Sequence, residues 1–144
     1  MEIAAGYLSH HFITDPARHE AKLEEPCFLI VQGRLASARQ MLRILEQVAN
    51  SGRSLLVVAE EVEGEALATL IVNKIRGSLR CCAVKAAGPK EERDAVIREL
   101  ATVTGAKMVS NENLAGLALD DLGGADRAVV SAYRTEILGA ALLN

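Results

Sequence analysis

The sequence predicts an α/β domain built in layers, with a mainly parallel central sheet flanked by helices. Three observations lead there. Apolar runs recur at Cys27-Phe28-Leu29-Ile30-Val31, Leu55-Leu56-Val57-Val58-Ala59 and, with one arginine inside it, Leu79-Arg80-Cys81-Cys82-Ala83-Val84. Strands covered on both faces read this way. Segments of helical period separate the runs, and a glycine follows each helical segment at Gly52, Gly77 and Gly105. Strand alternating with helix implies parallel pairing through crossovers. At 144 residues the chain suffices for one domain with its own core, so residues 1–144 are expected to form a single unit.

The N-terminal segment through Pro26 shows no clear period, and it carries Tyr7 and Phe12, two of the chain's four aromatics. Such aromatics either pin a segment to the core or serve a binding surface. Ser37 is placed to cap the first helix, through about Asn50. Around its axis Ala38, Met41, Leu42, Ile44, Leu45, Val48 and Ala49 fill one arc of about 160°, and the polar residues fill the other side.

After the second strand the chain reads Glu60-Glu61-Val62-Glu63-Gly64-Glu65, followed by an apolar helix that stops at Gly77. In that helix Glu65, Thr69, Asn73 and Arg76 share a wedge of roughly 80°. Ala66, Leu67, Ala68, Leu70, Ile71, Val72 and Ile75 spread over nearly all the rest. A surface helix needs an apolar stripe only a little over about 100° wide. This helix is therefore buried almost all round, or it is two-faced and offers one side to a partner. Beyond Ala87-Gly88-Pro89, a third helix is expected from Glu91 to Thr104 and a fourth strand at Lys107-Met108-Val109-Ser110. Residues 119–123 read as a short turn, with a terminal hairpin or edge formed by residues 128–130 and 136–138.

Composition excludes several functions. A net charge of −3, with Lys and Arg scattered, provides no footprint for nucleic acid. No apolar run approaches the ~20 residues that span a bilayer, and no signal-like start is present, so a soluble, unsecreted protein is expected. Cys27, Cys81 and Cys82 lack C-x-x-C spacing and read as buried reduced thiols. His10, His11 and His19 lack metal spacing and read as surface residues. Neither a dinucleotide fingerprint, a Walker loop nor a nucleophile elbow occurs. Glu60, Glu61, Glu63 and Glu65 follow a buried strand, where α/β sheets bind ligands, so a small metal-dependent α/β enzyme using this cluster is the alternative reading. Against it, hard-metal sites draw ligands from several strand ends, and only this one is acidic.

Gly6-Tyr7-Leu8-Ser9 with Phe12, the run from Leu55 to Asn73, Arg76-Gly77, Ala83-Val84-Lys85-Ala86, Ala101-Thr102-Val103-Thr104-Gly105 and Asp121-Leu122-Gly123 closely resemble the apical domain of group I chaperonins of the GroEL type. The resemblance covers nearly the whole chain. It implies an apical-domain fold, a fragment of a larger subunit, and no enzymatic activity or cofactor in this fragment, with ATP and Mg bound elsewhere in the parent subunit. It also implies a groove that captures non-native polypeptides and, competitively, the mobile loop of a GroES-type co-chaperonin, in a ring of chaperonin subunits. By motif position the groove residues are Tyr7, His11, Phe12, Leu42, Leu45, Leu67, Ile71 and Val72. The implied compartment is the bacterial cytoplasm or, alternatively, the plastid stroma or mitochondrial matrix. The helical map puts Leu42, Leu45 and Ala49 at one edge of the first helix's arc, but it sets Val72 well away from Leu67 and Ile71. The chain departs from the family pattern at His11, usually aromatic, at Ala5, commonly arginine, and along Ala86-Ala87-Gly88-Pro89-Lys90-Glu91-Glu92-Arg93.

Overall fold

The computed structural model describes residues 1–140. In chain order these form β1 (Glu2–Ile3), β2 (Ala5–Tyr7), a 3-10 turn (His10–Phe12), β3 (Ala21–Glu24), β4 (Pro26–Leu35), α1 (Ala38–Ser51), β5 (Ser54–Val62), α2 (Gly64–Arg76), β6 (Cys81–Ala86) and α3 (Lys90–Thr104). Two further 3-10 turns (Asn111–Gly116 and Leu119–Asp121) precede β7 (Gly123–Gly124), β8 (Arg127–Val130) and β9 (Thr135–Leu138).

The expected architecture of one mainly parallel sheet flanked by helices is not what forms. The described residues form two sheets, one of four strands in the order β1-β9-β8-β3 and one of five in the order β2-β6-β5-β4-β7. The first is antiparallel throughout. In the second only β4, β5 and β6 run parallel, and antiparallel β2 and β7 close its two edges. Lys107–Ser110, expected as a fourth parallel strand, shrinks to a single parallel bridge between Val31 and Val109. Its two hydrogen bonds run from Gln32 N to Val109 O, 2.7 Å, and from Val109 N to Ile30 O, 3.1 Å.

The three apolar runs do lie in the parallel strands, and residues 27–31, 55–59 and 81–84 are all buried. The hairpin strands β8 and β9 instead alternate, with Ala128, Val130, Thr135 and Ile137 inward. That is the pattern of a sheet with one wet face. The two sheets share one core, and short polar links fasten them together. Buried Thr135 donates from Oγ1 to Ala5 O at 2.7 Å, and Tyr7 N donates to Ser131 O at 3.1 Å. Gly6 permits that approach, because a Cβ there would stand 1.8 Å from Ala132 O.

The helix limits follow their sequence signals. The Ser37 hydroxyl accepts from Gln40 N at 3.3 Å and caps α1. Gly52 and Gly77 end α1 and α2 at φ of 76° and 73°, a left-handed conformation that glycine adopts without strain. Successive β4-α1-β5 and β5-α2-β6 units set α1 beside α2. Among the described residues, no helix is long and apolar enough to cross a membrane.

Candidate functional site

The two helices differ in what covers them. α1 packs against β5 and lies under the turns at Asn111–Gly116 and Leu119–Asp121. Those turns are tied to it: Asn111 Oδ1 accepts from Ala36 N at 3.2 Å, and Leu119 N donates to Gln47 Oε1 at 3.0 Å. α2 meets β6, α1 and the turn at His10–Phe12. It fully buries only Ala66 and Leu70. Ile75 is 62% exposed and Val72 42%, so the choice between burial all round and two faces falls to the second.

Between the helices runs an open groove of about 400 Å³ lined by Leu42, Leu45, Glu46, Ala49, Asn73 and Ser78. Past Asn73, toward the start of α2, it continues as a trough of about 240 Å³ bordered by Glu65, Ala68, Thr69 and Val72. Past Ala49 and Ser78, beyond the ends of both helices, it opens into a basin of about 150 Å³ edged by Gly52, Arg53, Gly77 and Arg80. Leu42, 56% exposed, stands on its α1 wall, whereas Leu45 is nearly buried and contributes floor. Asn73, which lines both hollows, donates from Nδ2 to Thr69 O at 2.8 Å.

The expected site residues therefore divide. Leu42 and Leu45 line this groove, and Val72 borders the trough that adjoins it at Asn73. Leu67 and Ile71 are half-buried on the other flank of α2. Lys74 lies about 20° from Leu67 around the axis, and its Nζ donates to Ile13 O at 3.2 Å, so that flank faces the N-terminal segment. Tyr7 is half-buried in β2 and meets the His10 ring edge-on, 5.7 Å between centroids. His11 is exposed, its Nδ1 3.0 Å from Ser9 Oγ. Phe12 has no exposed surface and packs in the core, so of the two roles open to an aromatic here it takes the pinning one. Motif position did not mark Asn73 or Ser78, which line the groove, or Ile75, which is exposed on α2 outside that lining. For Ile75 a signal existed, since it lies about 180° from Ala66 around the axis of α2.

The glutamates do not converge. Glu60 faces Lys90 at 3.6 Å, Glu63 pairs with Arg34, and Glu61 is exposed on the strand face opposite Glu60. Lys90 also meets Asp94 at 3.0 Å. The neighbouring Glu60 carboxyl and Lys90 ammonium together hold Asp94 below the usual carboxylate range. Among the described residues, no group of three or more His, Cys, Asp or Glu is arranged to hold a metal ion.

All three cysteines are buried and unpaired with one another. Burial pushes the Cys81 thiol up to about 12 and also raises Cys82 well above its ordinary value, so both stay protonated at neutral pH. Cys81 donates from Sγ to Leu70 O at 3.3 Å, a contact between β6 and α2 rather than a reactive site. No protein-family model matches the chain.

Proposed function

We propose that this chain is the polypeptide-binding domain of a chaperonin subunit of the GroEL type, and that the groove between α1 and α2 captures apolar segments of non-native polypeptides. One observation carries the reading. A helix rich in leucine, isoleucine and valine leaves Val72 exposed on a trough that meets, at Asn73, a groove walled by Leu42, on a frame whose core is complete without either side chain. The sequence resemblance supports the same site, through Leu42, Leu45 and Val72.

Full burial of one such side chain contributes about 1.5–3 kcal/mol, and these are already about half covered, so each adds roughly 1 kcal/mol. Ordering a flexible segment offsets several kcal/mol. One groove therefore binds weakly, and a ring of them gains affinity by multivalency of about 10²–10⁴. Hydrophobic burial is non-directional, which suits a site that takes many sequences. A co-chaperonin mobile loop competes for the same groove, neighbouring subunits complete the ring, and ATP with Mg acts elsewhere in the parent subunit. The bacterial cytoplasm, plastid stroma and mitochondrial matrix all fit this role.

The test is a binding titration of a denatured, fluorescently labelled polypeptide against the chain and its Leu42→Ser/Val72→Ser variant, beside thermal unfolding of both. The expected outcome is a loss of binding of about tenfold or more with melting nearly unchanged. Binding that survives the double substitution overturns the assignment.

A further inference from the structure

The groove is charged unevenly along its length. Glu65 stands at its α2 N-terminal end and Glu46 at its middle, whereas the basin beyond the helix ends carries Arg53 and Arg80. Both guanidinium groups are held in place by main-chain oxygens. Arg53 donates from Nε to Glu25 O at 3.2 Å and from Nη2 to Pro26 O at 3.4 Å. Arg80 donates from Nη2 to Gly52 O at 2.6 Å. Neither forms an ion pair with a carboxylate among the described residues. A guanidinium has five N–H donors, so most remain available on both side chains. The ends of α1 and α2 bring partial negative charge of about −0.5 each, and two full positive charges outweigh it.

From these features we infer that the basin is a carboxylate subsite that sets the direction and register of a polypeptide in the groove. This rests on the groove reading above. A segment with its apolar side chains between Leu42 and Val72 places an Asp or Glu against Arg53 and Arg80. From Val72 to Gly77 the helix rises about 7–8 Å. Extended chain covers that in two to three residues at ~3.3 Å each. The acid therefore sits two or three residues beyond the apolar centre. Reversed, the same segment brings its carboxylate to Glu65 and is repelled.

Labelled peptides test this. Each has a Leu-Val-Leu centre and one Asp three residues away, on the N-terminal or the C-terminal side, with Asn counterparts, and is titrated into the full 144-residue chain. At low ionic strength one of the two Asp peptides is expected to bind about three- to tenfold tighter than its Asn counterpart. Salt and Arg80→Gln should each remove that preference while leaving the Asn peptide's affinity in place. Should Arg80→Gln melt early, Arg53→Gln serves as the second variant. Equal binding of Asp and Asn peptides on both sides overturns the subsite, as does a preference that survives both arginine substitutions. In either case the groove reading stands if Leu42→Ser weakens all four peptides. If none of the four binds, or if Leu42→Ser changes nothing, groove and subsite fall together.

Discussion

α1 and α2 each contain seven apolar residues, yet α1 buries five of its side chains and α2 only two. The difference teaches that apolar content does not measure burial. In α1 the apolar residues crowd one arc, and β5 with the two 3-10 turns covers the helix from several sides. In α2 they are spread around the axis, and the neighbouring elements reach only part of the circumference, so Val72 and Ile75 are left in solvent. A helix that loses nothing by being half bare can give that surface to a partner.

The strongest way to break this comparison is to truncate inside α2. Leu70 is fully buried, and Leu70→Ala is expected to cost about 2–5 kcal/mol in chemical denaturation. Val72→Ala, two residues on at a side chain 42% exposed, should cost clearly less, about 1 kcal/mol or below. Similar costs for the two would mean that α2 is covered evenly around its circumference.

The helix starts differ as well. Ser37→Ala removes the hydroxyl that accepts from Gln40 N and should lower stability by about 1 kcal/mol. Glu63 begins α2 with no side-chain capping bond. Glu63→Ala should therefore cost only the few tenths of a kcal/mol of an exposed ion pair with Arg34. Equal losses would show that α1 owes nothing special to its cap.

The smallest effect belongs to α3. The carboxyl of Asp94 is held below its ordinary value of 3.8 by Glu60 and Lys90. A lowered carboxylate contributes stability above pH 3.8 that is lost as pH falls through the lowered value. The small stability difference between wild type and Asp94→Asn should thus be present at neutral pH and vanish in acid. A difference that grows on acidification contradicts the contact.

Much of the framework was legible. Uninterrupted runs located β4, β5 and β6, because strands buried on both faces need no polar residues. Ser37 and the three terminal glycines bounded the helices through local backbone chemistry. The antiparallel four-stranded sheet was not legible as a sheet. β1 and β3 are only 2 to 4 residues long, too short for a period of two to stand out. Their pairing also spans the chain, as with Glu2 beside Glu136. At the site, helical angles separated Val72 from Leu67 and Ile71, and the structure keeps them on different flanks of α2.

The sequence by itself determined where helices and inner strands begin and end, and that α2 carries more apolar surface than one contact needs. Those properties follow from period, caps and propensity, all of them local. Only the tertiary structure decided that the described strands form two sheets, that Phe12 is core, and that the hollows bearing Leu42 and Val72 adjoin, with Arg53 and Arg80 beyond their end. Each of these depends on which distant segments cover which face, and no local pattern encodes that.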